Sequence, residues 1–297
     1  MVSANLKGGL FMALAMAAFT FNDALVKLLA LEHPLFQVIF LRGLLTTFVF
    51  GLVVLVFFRH HVLPHLPKPI VWIRAFCEVG ATIFFLTGLT YLPIANTAAI
   101  LSALPLVVTM GDALFFRAPV GWRRWSAILV GFFGVLIIIR PGFEGFSVYS
   151  LLIVVCVIFA AARDLVTKVA PADLPSPVFA LVTSIAISAT GAVGSAFSFE
   201  PFAFSINDLV YLSIAALFLV GAYYFIIEAM RHGEVAAVAP YRYTNLIWAV
   251  LIGVLVFGDP VEWQMVVGSL IIVATGIYTF YRERKRAFGT SEDGQAI

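Results

Sequence analysis

Two aspartate–lysine pairs stand inside segments that are otherwise almost entirely apolar. Asp23 and Lys27 lie four residues apart in one segment, and Asp164 and Lys168 have the same spacing in another. Side chains four residues apart share one face of a helix. Charges inside apolar segments usually face a bundle interior or an aqueous cavity, so each pair could act as a gate that forms or releases an ion pair. The alternative interpretation is a static pair that only stabilises its helix.

Other polar side chains in the apolar segments could contact a solute. A zwitterion such as an amino acid needs a cation for its carboxylate and acceptors for its ammonium group, while aromatic rings offer a stacking surface. The same arginines and glutamates could instead form static pairs, Glu78 with Arg42 or Arg74 and Glu228 with Arg242. The substrate-binding candidates are Arg42, Arg74, Glu78, Asn96, Ser102, Tyr224, Glu228, Tyr241, Arg242, Tyr243 and Trp248.

The composition indicates a membrane protein with many spans. Of the 297 residues, 62% are hydrophobic and only 11% are charged, whereas soluble proteins are about half apolar and about a quarter charged. Proline, glycine and charged clusters divide the chain into ten runs close to the roughly 20 residues that a spanning helix needs. We expect spans 1 to 10 at 8–30, 35–58, 70–91, 94–116, 123–140, 147–170, 176–198, 207–231, 234–257 and 261–281.

Basic residues in the connections predict the orientation. With the N-terminus inside, twelve of the eighteen lysines and arginines fall on the cytoplasmic side, and only Arg140 falls outside. Both termini are therefore predicted to be cytoplasmic. The connection RHHVLPHLPKP at 59–69 is interpreted as a solvated turn, with a metal site as the weaker alternative. The polar tail from Arg282 is expected to be mobile.

An internal repeat relates the two halves of the chain. Asp23 matches Asp164 at an offset of 141 residues, and PVGW at 119–122 matches PVEW at 260–263 at the same offset. Each half then holds five spans, and because five is odd, the second half enters the membrane from the opposite face. Inverted repeats of this kind are typical of secondary transporters. The first Asp–Lys pair is then expected toward the outer face and the second toward the cytoplasm.

The ends of both halves resemble the EamA proteins of the drug/metabolite transporter superfamily. The similar stretches are YLPIANTAAILSALPLVVTMGDALFF at 91–116, VGWRRWSAILVGFFGVLIIIRPG at 120–142, HGEVAAVAPYRYTNLIWAVLIGVLVFGD at 232–259 and GSLIIVATGIYTFYRER at 268–284. The resemblance covers nearly the whole chain. One departure is visible: many relatives carry Gly-Glu before the fifth span, where this chain has Arg117-Ala118, although the second half keeps Gly258-Asp259.

The resemblance implies an all-α membrane protein with ten transmembrane helices in two inverted five-helix repeats. We place the first repeat at 1–142, the second at 143–284 and a cytoplasmic tail at 285–297. The resemblance further implies a carrier that exports small polar metabolites across a prokaryotic inner membrane by alternating access. Amino acids, aromatic ones included, are the expected cargo. Export or import of cationic drugs, nucleosides or vitamins is the alternative, and a non-transport intramembrane protein is a remote one.

Several classes of activity have no support in the sequence. The chain contains neither a GxxxxGK[ST] nucleotide-binding loop nor an HExxH metal motif, so we expect no enzymatic activity, no cofactor and no metal. The net charge of +2 gives no reason to expect a nucleic-acid partner. The expected partners are a small-molecule substrate and membrane lipid. A monomer can form the full pathway because both repeats are fused in one chain, and a dimer stays open.

Overall fold

Ten membrane-length helices make up most of the chain that the structure describes. The computed structural model describes residues 4–58, 67–118, 121–143, 145–171, 174, 176–233 and 235–293, and the expectation for the connection at 59–69 falls largely on 59–66, outside them. Within the described residues, all ten expected spans are confirmed. Their bounds are Ala4–Glu32, Leu35–Phe57, Pro69–Tyr91, Ile94–Phe115, Trp122–Ile139, Tyr149–Lys168, Pro177–Ser198, Ile206–His232, Ala239–Phe257 and Trp263–Arg282. The protein is thus an all-α membrane protein.

The last helix extends beyond the membrane span. It runs over Trp263–Asp293, so the polar tail from Arg282, which the sequence suggested to be mobile, is helical as far as Asp293. The backbone of this segment closes its hydrogen bonds within the helix, which a polar sequence with Lys, Arg and Glu side chains allows.

Spans 4 and 9 are interrupted helices. Span 4 consists of Ile94–Leu101 and Leu104–Phe115. In span 9, a 3₁₀ segment at Ala239–Tyr243 precedes the α-helix Thr244–Ile252. Pro240 explains the second break, because proline has no N–H to donate and a carbonyl one turn earlier loses its partner. Broken spans in corresponding positions of two inverted halves are a feature of secondary transporters.

Contacts divide the chain into two units, and each unit draws on both halves. Unit A comprises Ala18–Leu92 and Val148–Ala222; unit B comprises Met1–Ala17, Pro93–Ser147 and Tyr223–Ile297. Within unit A, spans 2 and 7 pack against each other, as do spans 3 and 6. Spans 2 and 7 can approach closely because Gly191 has no side chain. A Cβ at this position would lie 2.5 Å from the backbone nitrogen of Phe40. Small residues commonly allow such close helix contact in membranes.

Unit B is built around spans 5 and 10, with spans 4 and 9 packed together as a second pair. Spans 5 and 10 meet at glycines: a Cβ on Gly134 would lie 2.9 Å from the carbonyl oxygen of Gly268. Spans 2 and 7, 4 and 9, and 5 and 10 are counterparts in the repeat. Each of these contacts therefore joins one half of the chain to the other, which explains why the halves do not form separate units.

Asp259 caps a helix of the opposite half. The backbone N–H of Ile94, the first residue of span 4, donates to Asp259 Oδ2 at 3.1 Å. The preceding Gly258 has φ +65°, and its counterpart Arg117 has φ +52°. Both adopt the left-handed conformation, which glycine tolerates and arginine does not favour. Ala118, the counterpart of Asp259, has no side-chain acceptor, so the first half keeps the backbone turn but lacks the capping carboxylate.

Candidate functional site

The first polar cluster joins spans 1 and 2 inside unit A. Asn22 Nδ2 donates to Asp23 Oδ1 at 2.9 Å, and Arg42 Nη1 donates to Asn22 Oδ1 at 3.2 Å. Arg42 also acts electrostatically on the Asp23 carboxylate. Asn22 and Arg42 are only 1% and 6% exposed. Buried polar and charged groups need such partners, because an unpaired group would lose its hydration without compensation.

The second polar cluster joins spans 3 and 6. Arg163 Nη1 donates to both carboxylate oxygens of Glu78, at 3.1 and 3.0 Å. Its Nη2 lies 2.7 Å from Asp164 Oδ1, and its Nε donates to the same oxygen at 2.8 Å. The side chains are 18%, 12% and 31% exposed for Arg163, Glu78 and Asp164. Two carboxylates thus share one arginine, and the three residues together carry a net negative charge.

The two clusters are counterparts in the repeat. The 141-residue offset pairs Asn22 with Arg163, Asp23 with Asp164 and Arg42 with Thr183. Each half therefore places an arginine beside its aspartate, but span 2 carries it in the first half and span 6 in the second. Arg163 was not among the sequence candidates. The offset contained the signal, since it puts Arg163 opposite a buried asparagine beside the matching aspartate.

Both clusters act on a common region of unit A. The thiol of Cys156 in span 6, which is 3% exposed, lies within electrostatic range of Arg163, Glu78 and Asp23. Charges from both clusters therefore act on one buried side chain of span 6.

Arg74 forms a third group, with neutral partners. Its Nε donates to Thr167 Oγ1 at 2.9 Å and its Nη1 to Thr183 Oγ1 at 3.1 Å. Its guanidinium carbon lies 4.9 Å from the centre of the Phe179 ring. The expected static pair of Glu78 with Arg42 or Arg74 is wrong, because Glu78 bonds Arg163 on span 6.

The lysines of the two gate candidates lie in different surroundings. Lys27 is buried and donates to the carbonyl oxygen of Leu92, just beyond span 3. Lys168 is exposed and is the last residue of its helix. Asp23 and Asp164, by contrast, each lie in one of the polar clusters. The gate role of the two pairs stays a prediction, and the aspartates are the members that the clusters bring together with arginines.

Candidates in unit B are dispersed. Ser102 Oγ donates back to the carbonyl of Ala98 at 2.8 Å, as hydroxyls in helices often do. Tyr224 is 57% exposed. Glu228 accepts from Arg231 Nη1 at 3.3 Å and also lies 3.5 Å from His232 Nδ1, so its expected pairing with Arg242 is wrong. Asn96 is half-buried and Arg242 is exposed.

The aromatic candidates of span 9 lie near its break. Tyr241 packs over Gly9, where an added Cβ would lie 2.5 Å from the ring. Tyr243 is 8% exposed, and its hydroxyl would lie 1.7 Å from a Cβ on Gly276. The Tyr243 hydroxyl and the indole N–H of Trp248 are both buried without a hydrogen-bond partner in the described part of the chain. Their role in substrate contact stays a prediction.

One group of side chains could offer three metal ligands. Glu32, His33 and Asp208 place a ligand atom each within 4.8 Å of one another, and His33 Nε2 lies 3.2 Å from Asp208 Oδ2. Asp208 already accepts from the backbone N–H of Ser205 at 2.7 Å, in a capping arrangement at the start of span 8. The group is accounted for as a helix cap with a neighbouring histidine, and we assign it no metal.

Comparison with known proteins identifies the family. The EamA-like transporter family matches residues 6–140 and 147–281. This chain is an EamA-like transporter. The two matched ranges differ by 141 residues at both ends, which is the offset found between the two Asp–Lys pairs. A solved crystal structure superposes with a TM-score of 0.59 at 18% sequence identity, over 91% of this chain and 98% of its own, and it therefore shares the fold.

Named relatives carry different cargoes. An S-adenosylmethionine uptake transporter of Rickettsia conorii is 26% identical to this EamA-like transporter and is matched over 92% of each chain. A riboflavin transporter of Vibrio cholerae is 30% identical over 72% of each. The pseudopaline exporter CntI of Pseudomonas aeruginosa is 24% identical over 92% of this chain and 95% of its own. The protein is thus a small-molecule transporter of the drug/metabolite transporter superfamily, with many spans in a bacterial inner membrane.

Proposed function

We propose that the protein is a secondary transporter that takes up metabolites carrying an α-amino-acid group, with S-adenosylmethionine as the first candidate. The observation that carries this proposal is the pair of aspartate–arginine clusters inside unit A. Charged residues within membrane spans face a bundle interior or a water-filled cavity and mark substrate and ion pathways. The full-length similarity to S-adenosylmethionine uptake transporters supports both the cargo and its direction.

The chemistry of the clusters suits such a cargo. S-adenosylmethionine carries an ammonium group, a carboxylate and a positively charged sulfonium. Asp23, Glu78 and Asp164 can stabilise cations, and arginine can pair with a carboxylate through two parallel hydrogen bonds. In unit A these three carboxylates lie beside Arg42 and Arg163. A cationic amino-acid derivative can exchange ion pairs with the clusters as it passes.

Amino-acid export, which the sequence resemblance suggested, has less support than uptake. The relatives matched over most of this chain include uptake transporters for S-adenosylmethionine. Riboflavin is the second candidate cargo, because the Vibrio cholerae relative has the higher identity, 30%. Riboflavin has neither a carboxylate nor a cationic group, so it would use the ring surfaces rather than the charged clusters.

The test is uptake of labelled S-adenosylmethionine and labelled riboflavin into proteoliposomes containing the purified protein. We expect saturable S-adenosylmethionine uptake that falls at least about tenfold in Asp23→Asn and in Asp164→Asn, since a lost charged partner is worth about 1.5–3 kcal/mol. Glu32→Gln changes an exposed acid at the end of span 1 and is the matched control, with wild-type uptake expected. Uptake of riboflavin alone would favour the second candidate. Uptake of neither compound by folded protein would reject both cargoes.

A further inference from the structure

Arg74 lies on the first turns of span 3 and reaches across to two other spans. It is the sixth residue of the helix Pro69–Tyr91, about 8 Å along the axis from its first residue. Its hydrogen bonds go to Thr167 on span 6 and Thr183 on span 7. These contacts tie the half-buried Arg74 to spans 6 and 7 within unit A.

The guanidinium groups of Arg74 and Arg163 have different neighbours. Arg163 lies between two carboxylates, whereas the described partners of Arg74 are two hydroxyls and the ring of Phe179. The neighbouring carboxylate of Glu78 has both oxygens on Arg163. Within the residues that the structure describes, the charge of Arg74 is therefore left without a carboxylate. A cation in a membrane span is expensive under these conditions, which makes it a functional candidate.

The geometry of Arg74 leaves a donor edge open. A guanidinium has five N–H donors, and the two hydrogen bonds to threonine use the Nε–H and one N–H of Nη1. The guanidinium carbon also lies over the Phe179 ring, 4.9 Å from its centre. Donors on Nη1 and Nη2 remain, in the side-by-side arrangement that binds a carboxylate with two hydrogen bonds.

Arg74 also shares its surroundings with the second polar cluster. Thr167, which accepts from Arg74 Nε at 2.9 Å, donates to the backbone carbonyl of Arg163 at 2.8 Å. Glu78 lies one turn from Arg74 on span 3. An anion on Arg74 would therefore lie near the net negative charge of the Glu78–Arg163–Asp164 cluster. An α-amino acid presents a carboxylate and an ammonium group on one carbon, which matches a lone arginine beside an acidic cluster.

We propose that Arg74 binds the carboxylate of the transported amino-acid derivative while the Glu78–Arg163–Asp164 cluster holds its cationic part. This inference rests on the proposed function. The 141-residue offset pairs Arg74 with Ala215 and Glu78 with Leu219, so the second half has no equivalent. The arginine for the substrate carboxylate therefore comes from the first half alone, although the protein is built from two related halves.

The test compares binding of S-adenosylmethionine with binding of decarboxylated S-adenosylmethionine by the purified full-length protein. The two ligands share the adenosine, the sulfonium and the amine, and they differ in the carboxylate. We expect wild type to bind the decarboxylated ligand at least about tenfold more weakly, because that ligand lacks the charge-assisted hydrogen bonds to the carboxylate. In Arg74→Gln, S-adenosylmethionine should fall to the affinity of the decarboxylated ligand, whose own affinity stays within about twofold. Arg74→Lys should retain part of the discrimination, because lysine keeps the charge and loses the paired geometry.

The unchanged affinity for the decarboxylated ligand shows that Arg74→Gln is folded. Arg231→Gln removes an exposed arginine that pairs with Glu228 and is the matched control, with wild-type discrimination expected. Discrimination that persists in Arg74→Gln would overturn the assignment, and so would an equal loss of affinity for both ligands, which would make Arg74 structural. Equal binding of the two ligands by wild type would overturn the role of Arg74 while leaving the cargo intact. Binding of neither ligand by folded wild type would overturn the cargo and, with it, this assignment.

Discussion

Replacing Arg163 should be far more damaging than replacing either of its carboxylate partners. Arg163→Met leaves Glu78 and Asp164 without their arginine, in sites where their side chains are 12% and 31% exposed. Removing one partner of a buried pair costs about 3–5 kcal/mol. Because Asp164 is partly hydrated, we take the lower end and expect a loss of about 3 kcal/mol in the free energy of unfolding.

Glu78→Gln should be milder for a structural reason. Arg163 keeps Asp164 at 2.7 Å, and the glutamine carbonyl can still accept one hydrogen bond from the guanidinium. We expect a loss of about 1 kcal/mol, the net worth of one hydrogen bond. In the double variant, the substitution at Glu78 removes a carboxylate that Arg163→Met has left unpaired. The two losses should therefore not add, with a coupling of about 1–2 kcal/mol.

The assay is equilibrium unfolding of purified protein by SDS in mixed micelles, followed by tryptophan fluorescence, for wild type, both single variants and the double variant. Arg231→Met, whose side chain is 72% exposed, is the control, and its loss should stay below about 0.5 kcal/mol. If Glu78→Gln destabilises as much as Arg163→Met, or if the two losses add within about 0.5 kcal/mol, Arg163 does not hold both carboxylates.

Three further predictions follow from the backbone and the packing. Arg117→Gly should stabilise the protein by up to about 1 kcal/mol, because residue 117 has φ +52°, which glycine tolerates better than arginine. The matched Gly258→Ala should destabilise the protein by a similar amount. Changes of opposite sign in the free energy of unfolding, measured in SDS, are the expected result. Asp259→Ala should lower the free energy of unfolding by about 1 kcal/mol, because it removes the acceptor for the N–H of Ile94. Asp259→Asn should lower it by less, since asparagine can still accept that hydrogen bond. Equal losses would show that the charge of Asp259 matters more than the cap. Gly191→Leu should lower the yield of folded protein by several-fold in size-exclusion chromatography, because even a Cβ at this position would lie 2.5 Å from the backbone nitrogen of Phe40. An unchanged yield would contradict the close contact of spans 2 and 7.

The spans were predictable because bilayer thickness sets the length of a spanning helix. All ten expected runs contain a helix of the structure. The breaks were predictable in part: Pro240 accounts for the 3₁₀ segment at Ala239–Tyr243, but its length depends on how neighbouring spans satisfy the freed backbone groups. The extension of the last helix to Asp293 was not predicted, because polar composition alone does not distinguish a helix from a mobile tail.

The sequence predicted the residues of the candidate site better than it predicted which of them pair with each other. Asp23, Arg42, Arg74, Glu78 and Asp164 were all candidates on the basis of charge within apolar runs. The sequence left Arg42 and Arg74 as possible partners of Glu78, and Arg74 is four residues from Glu78 on the same helix. The observed partner is Arg163 on span 6, because spans 3 and 6 pack together and bring its guanidinium within hydrogen-bonding distance of both oxygens of Glu78.

The sequence by itself determined that this protein is a ten-span carrier with two related halves, because apolar run length and a constant 141-residue offset are properties of the chain alone. Only the tertiary structure decided which charges neutralise each other. Opposite charges attract across a few ångströms in space, and helices that are far apart in sequence supply those contacts. Arg74, whose described partners are two threonine hydroxyls and a phenylalanine ring, became a candidate for binding an anion only when the structure showed that Glu78 pairs with Arg163.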